Sequence, residues 1–216
     1  MSPANSARLP RGNRQRERTR MALLAAGQTL FARRPVESVS VDDIVDAADV
    51  AKGSFYNHFQ DKDAFAATIY ELVQGDVEFH IFSANQAIDD APERIARALC
   101  TVLRYALEHP ERLMALLSMG ARRLTSDAPL NAGVSADVGR GLAQHRLSGI
   151  DLETGVLLVL GTINSTVRYA TSGDSGKQPP TLAAAMSTAL LRGLGVPGEE
   201  AERLGSSAAS DLLGGK

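Results

Sequence analysis

The sequence predicts an all-α fold, with a three-helix unit at the N-terminus and a larger helical region behind it. Three observations lead there. Apolar residues recur at three- and four-residue steps along most of the chain, and no stretch alternates with period two for long enough to make a strand. The core also has to be built with no Trp and 5% aromatic residues, so it draws on Leu, Val, Ile and Ala. At 216 residues, 44% of them hydrophobic and 22% charged, the chain is long enough to bury such a core.

The elements follow in order. Residues 1–13, with Pro3, Pro10 and Gly12 among polar side chains, read as a flexible basic arm. From Arg14 the pattern is helical: Met21, Leu24, Gln28 and Phe31 interleave with Leu23, Gly27 and Leu30 in a stripe that Pro35 ends. Ser40 can cap the next helix, with Asp43 as its capping-box acid, and Val41, Ile44, Val45 and Ala48 share a face. Asp49 is the expected turn residue, because Asp tolerates the left-handed conformation. A short helix, 51–59, follows. Two short helices joined by a tight turn and backed by a longer one form a helix-turn-helix layout. Asp61 caps a fourth helix running towards Phe82, and Pro92 opens a fifth that stops before Pro110. Further helices are expected at 111–124, 128–145, 152–171, 181–194 and 198–212. The domain reading is an arm over 1–13, a helix-turn-helix DNA-binding domain over 14–62, and an effector-binding and dimerisation domain over 63–216.

Charge is unevenly spread. Residues 1–62 carry a net +3 and the remainder −5, within a total of −2. Six of the front cations are Arg8, Arg11, Arg14, Arg16, Arg18 and Arg20. A basic front on an acidic body fits a phosphate-binding head, and equally a solvated arm. The opening MSPANSARLPRGNRQRER has no apolar run of the kind a secretory signal carries, and no apolar stretch is long enough for a bilayer. A cytoplasmic protein without membrane contact is expected. The single Cys100 excludes an internal disulfide and reads as a buried, inert thiol.

Function classes narrow next. The four histidines, His58, His80, His109 and His145, are far apart in sequence. No H-x-x-x-H, H-E-x-x-H, C-x-x-C or Gly-rich phosphate loop occurs, so neither an enzyme nor a metal or other cofactor is expected. On the third helix Phe55 and Phe59 belong to the core. The opposite face offers Ser54, Asn57 and His58, flanked by Lys52, Tyr56 and Lys62. Ser and Asn can hydrogen-bond base edges in the major groove, whereas Lys, Tyr and His can hold phosphates. Gly53 leaves room for the backbone to approach a duplex closely.

The run SVSVDDIVDAADVAKGSFYNHFQDKDAF resembles the tetracycline-repressor (TetR) family of regulators, and the upstream RTRMALLAAGQTLFARR is similar to that family's first helix. The resemblance covers about residues 18–65 and is carried by K-G-S-F-Y-N-H-F followed by D-K-D. It implies a three-helix DNA-binding head and a larger helical effector domain. It further implies phosphate contacts for Thr19, Ser40, Lys52, Tyr56, His58 and Lys62, and base contacts for Gly53, Ser54 and Asn57. Asp49 and Pro35 stand where the family usually has Gly, and Ala51 replaces a frequent Ser or Thr, removing an N-cap. Helices 152–171 and 181–194 resemble the pair that forms a dimer four-helix bundle, with Gly155 and Gly161 allowing close approach. The fourth to eighth helices would enclose a pocket for an unidentified small-molecule effector. Candidate lining residues are Phe79, Phe82, Tyr105, Met114, Leu117 and Met119, with Asn164, Arg168 and Tyr169 as polar anchors.

The expected function is a homodimeric, sequence-specific repressor on a palindromic operator of double-stranded DNA. A two-fold dimer would place its heads about 34–36 Å apart, or a multiple of that, and a ligand would release it. An architectural binder, a co-ligand-dependent regulator and an activator remain open at this stage.

Overall fold

The computed structural model describes residues 11–120, 131–173 and 176–214, and among these the regular structure is entirely helical. The helices are α1 (Arg11–Arg33), α2 (Val41–Ala47), α3 (Lys52–Tyr56), α4 (Lys62–Ala84), α5 (Ala91–Glu108), α6 (Pro110–Gly120), α7 (Ala132–Ala143), α8 (Leu152–Thr171), α9 (Pro179–Gly193) and α10 (Gly198–Leu213), with a 3-10 turn at Val36–Ser38. The first ten residues of the expected arm, the end of the expected helix 111–124 and the start of 128–145 lie outside the described residues. The first helix begins at Arg11, within the expected arm, and the third is shorter than 51–59. No helix among the described residues is long and apolar enough to cross a membrane.

The head is set by its caps. Ser40 accepts from the Asp43 backbone N–H at 3.0 Å, and the Asp43 carboxylate accepts from the Ser40 N–H at 2.8 Å. Two otherwise unpaired donors are satisfied at the start of α2. Asp49 turns the chain with φ +52°, the left-handed conformation its short polar side chain tolerates. Ala51 makes no side-chain cap bond at α3, which then runs only to Tyr56. Beyond it the Phe59 N–H still donates to the Phe55 carbonyl at 2.9 Å. Phe55 and Phe59 are buried and stack edge-on against Phe65 of α4, at centroid distances of 5.3 and 4.8 Å. Phe31 of α1 closes the cluster 6.0 Å from Phe65.

This core does not stop at the head. Ile69, Tyr70, Val73 and Val77 of α4 extend it to Tyr105 of α5 and to Leu113 and Leu116 of α6. A second cluster joins the other side of α5 (Ile95, Leu99, Leu103) to Val156 and Val159 of α8, Leu190 and Leu191 of α9, and Leu204 of α10. Helix α5 is therefore the shared wall of both cores. Cys100 sits in the second cluster, fully buried, with its Sγ 3.7 Å from the Ser187 hydroxyl. Burial raises its thiol pKa to about 11.

Polar links tie head to body. Glu111, in the first turn of α6, accepts from Thr29 at 2.7 Å and from Arg33 at 3.1 Å, both on α1. The neighbouring Arg112 reaches Asp76 of α4 at 2.9 Å, and Asp76 also accepts the Tyr105 hydroxyl at 2.8 Å.

Helix α8 departs from expectation. Its apolar run from Val156 to Ile163 predicts burial on several sides, and the resemblance implies close approach at both glycines. Val156 and Val159 are indeed buried, but Leu157 is 46% exposed and Leu152 41%. A Cβ on Gly155 would meet Val138 at 2.7 Å, so that glycine does admit α7. Gly161 is exposed and a Cβ there would meet nothing within 4 Å, so it serves no packing within the single chain.

Candidate functional site

Helix α3 turns its aromatic side inward and presents Tyr56 and Asn57 to solvent, with Ser54 and His58 half-buried beside them. The Tyr56 ring packs edge-on against Phe55 at 5.4 Å, which fixes its base while leaving the side chain 54% exposed. Gly53 is exposed, and a Cβ there would meet nothing within 4 Å. Its missing side chain thus serves no internal contact. Lys52 is exposed but paired with Asp42 of α2 at 2.7 Å, and that hydrogen bond and charge raise its pKa. A phosphate would have to share this ammonium with Asp42.

The exposed face is one wall of a cleft whose other wall is α1. Gln15, Arg16 and Thr19 face Ser54, Asn57 and His58 across it. Arg16 donates to the Asn57 carbonyl at 3.4 Å, and the Arg20 guanidinium lies 5.1 Å from the centre of the Phe59 ring. Burial, then the charges of Arg16 and Arg20, lower the pKa of His58, against a smaller opposing effect from Glu17. Sequence reasoning counted Arg16 as one cation among six and did not assign Arg16 or Gln15 to the site. The signal was available, since both are within one helical turn of Thr19.

Three further candidates have internal partners. The Thr19 hydroxyl donates to the Gln15 carbonyl at 3.1 Å, on the same helix. Ser40 spends its hydroxyl on the α2 cap. Lys62 turns inward and donates to the carbonyls of Val36 and Val39, each at 2.9 Å, with Glu37 at 3.4 Å. Its geometry is that of a clamp on the chain between α1 and α2.

Behind the head, a cavity of about 380 Å³ lies between α4, α5, α7 and α8. Among the nine expected lining residues, Phe82 alone borders it. Phe79, on the same helix, is 65% exposed. Tyr105 is buried, bonded to Asp76. Met114, Leu117 and Met119 pack against the head core, with Met114 accepting the Thr171 hydroxyl at 3.6 Å. Asn164 accepts from Arg168 at 2.7 Å, and the Tyr169 hydroxyl accepts the Gly176 N–H at 3.1 Å. This cavity is therefore not lined by the nine as a group. The cavity draws instead on Glu78, Ile81, Arg94, Ile95, Asp137 and Val159 among others, none of which sequence reasoning selected. They are spread over four helices, with no local spacing to mark them.

Residues 23–69 match the bacterial regulatory proteins of the tetR family, and residues 90–207 match the tetracyclin repressor-like C-terminal domain. The transcriptional regulator EthR of Mycobacterium tuberculosis is 33% identical over 95 residues, covering 41% of this chain and 44% of that protein. The repressor DhaR of a Mycobacterium species is 36% identical over 75 residues, or 35% of this chain and 38% of that protein. The matches thus span less than half the length of these curated relatives. The solved structure of RolR in complex with resorcinol superposes with a TM-score of 0.63 at 26% identity, over 90% of this chain and 96% of that one. A gamma-butyrolactone receptor (ArpA-like) shares the fold with a TM-score of 0.69 at 21% identity, over 92% of this chain and 99% of that one. With the C-terminal match alone covering more than half of its length, the chain belongs to the tetracycline-repressor family of bacterial transcriptional regulators.

Proposed function

We propose that the chain is a homodimeric repressor that reads a palindromic DNA operator with α3 and is released by a small molecule held in the rear cavity. The observation that carries the reading is the cleft face: Ser54, Tyr56, Asn57 and His58 stand out from a buried aromatic core, with Arg16 and Thr19 opposite. In this reading Asn57 and Ser54 meet base edges, and Gly53 lets the backbone come close. Tyr56, His58, Arg16, Thr19 and Lys52 hold phosphates. Ser40 and Lys62 act by positioning: their polar groups already cap α2 and clamp the 3-10 turn, so they fix the backbone that meets the DNA. The protein would act in the cytoplasm.

Dimerisation finds support in the uncovered face of α8 where Leu157 is exposed one helical turn before the exposed Gly161. Release finds support in connectivity. Helix α4 starts at the recognition helix and lines the cavity at Glu78, Ile81 and Phe82. Asp76 on the same helix is joined through Arg112 to α6, whose Glu111 holds α1. A ligand that fits one arrangement of α4 better than another would shift the spacing of the heads by that difference in affinity. RolR, described with resorcinol bound, is a relative for which a small organic ligand is on record.

Selection from a randomised duplex library, repeated with Tyr56→Phe and Asn57→Ala at two salt concentrations, tests the DNA reading. A palindrome should be enriched. Asn57→Ala should relax its sequence at a cost of about 1–3 kcal/mol. Tyr56→Phe should weaken all sequences alike. If every duplex binds equally with a steep salt dependence, the protein is an architectural binder and the repressor reading fails.

A further inference from the structure

The rear cavity has a chemistry that selects its occupant. Its walls are mainly apolar, formed by Ile81, Phe82, Ile95, Val159 and Ile163. Ile95 and Val159 are buried and make the floor, whereas Phe82 and Glu78 are exposed and stand at the rim. Among the described residues, three charged side chains reach this space: Glu78, Arg94 and Asp137. The Asp137 side chain is only 10% exposed, and its Oδ1 accepts from Arg94 Nε at 2.7 Å. Arg94 Nη1 is committed to the carbonyls of Asn85 at 3.1 Å and Ile88 at 3.0 Å. The guanidinium therefore already serves one carboxylate and two backbone carbonyls. Glu78 accepts from Gln74 Nε2 at 2.8 Å, a neutral donor, so its charge is uncompensated by that contact.

Two consequences follow. Among the described residues the lining carries two carboxylates against one guanidinium, and at the nearly buried Asp137 an anionic ligand meets a carboxylate whose guanidinium partner is already engaged. A carboxylate also has acceptor sites beyond the one bond that Asp137 makes with Arg94. An apolar molecule without a donor would strip water from that carboxylate and return nothing, which is the expensive way to fill a polar corner. A ligand bearing an O–H or N–H restores the lost bond.

We propose that the effector is a compact, largely apolar molecule with a hydroxyl or amine donor and no negative charge, seated on the Ile95–Val159 floor with its donor on Asp137. The volume, about 380 Å³, lies at the small end of ligand pockets and suits a single substituted ring. This inference rests on the reading of the cavity as the effector site and is tested without DNA, so its failure leaves the DNA-binding reading standing.

The experiment is calorimetric titration of the full chain with 4-ethylphenol, 4-ethylaniline, 4-ethylanisole and 4-ethylbenzoate. The phenol and the aniline should bind. The anisole, of similar shape without a donor, should bind roughly tenfold more weakly, and the benzoate should give no measurable heat. Ala98→Leu adds bulk at a wall residue of the cavity and should abolish binding of the phenol. Asp137→Asn should narrow the gap between phenol and benzoate. Melting curves establish that each variant is folded, and if Asp137→Asn is not, the four ligands and Ala98→Leu decide. Benzoate binding as tightly as the phenol, equal binding of phenol and anisole, phenol binding that survives Ala98→Leu, or no binding by any of the four would each overturn the proposal.

Discussion

The head and the far end of the body solve the same packing problem with opposite materials. Around α3 the core is aromatic: Phe31, Phe55, Phe59 and Phe65 meet edge-on, and Gly27 of α1 makes space for them. A Cβ on Gly27 would lie 2.5 Å from the Phe65 ring. On α9 and α10 the buried residues are leucines interleaved with small residues, and no aromatic ring is among them. Ala183, Ala201, Ala208 and Ala209 are buried there, and a Cβ on Gly205 would lie 2.9 Å from the Thr188 nitrogen and 3.1 Å from the Ala184 carbonyl oxygen. The head needs large rings because its helices are short: α2 and α3 span seven and five residues and offer little surface each. The α9–α10 pair has length to spare, fifteen and sixteen residues, and gains by letting two backbones approach.

The sharpest way to break that contrast is to empty the head core. Phe55→Ala removes a ring with no solvent exposure, and the loss should be about 3–5 kcal/mol. Because Tyr56 leans on the Phe55 ring, DNA affinity should fall as well. Denaturant melts read the first effect. Hydrogen exchange reads the contrast: α1–α3 amides should lose protection while those of α9 and α10 keep theirs. Equal loss at both ends would mean that α5 welds the two cores into one cooperative unit.

A smaller effect is expected at the other end. Gly205→Ala gains about 1 kcal/mol of helix propensity, but its methyl runs into the Thr188 hydroxyl and also into the backbone of α9 at Thr188 and Ala184, which cannot yield as a side chain can. Overpacking of that kind costs about 1–3 kcal/mol, so the net should be a modest destabilisation visible as a lower Tm. A variant as stable as the parent would show that α9 and α10 can part without cost, and that small residues there do not enforce close packing.

The same contrast explains what could be read from the sequence. The head was legible because its instructions are local. Ser40 and Asp43 are three residues apart, Asp49 sits between two short apolar runs, and Ser54, Asn57 and His58 fall on one face of a single short helix. Cap, turn and face all appear in the structure where spacing put them. Helix boundaries in the body were legible for the same reason, with 152–171 matching α8. The cavity was not. Glu78, Arg94, Asp137 and Val159 meet only because four helices converge, and each is unremarkable in its own neighbourhood. Lys62 shows the limit within the head itself: its motif position suggested a phosphate, but the 3-10 turn that captures its ammonium comes from residues 23–26 positions earlier.

His58 offers the finest test of how the head meets DNA. In the free protein it is flanked by Arg16 and Arg20 and partly removed from water, and these effects lower its pKa below the usual value near 6.5. A DNA phosphate in the same cleft would act in the opposite sense, offsetting both arginines and favouring the imidazolium. The complex then binds more protons than the free protein. Affinity from this residue should be greatest at pH values below the free-state pKa, and should be lost as pH rises through the higher pKa of the complex. Binding curves between about pH 5.5 and 7.5 should thus weaken with pH, by no more than about tenfold per unit for a single proton. His58→Gln should flatten the slope while the other phosphate contacts persist. A wild-type affinity that does not change over this range would place His58 outside the phosphate contacts and leave Arg16, Thr19 and Tyr56 to hold that side of the cleft.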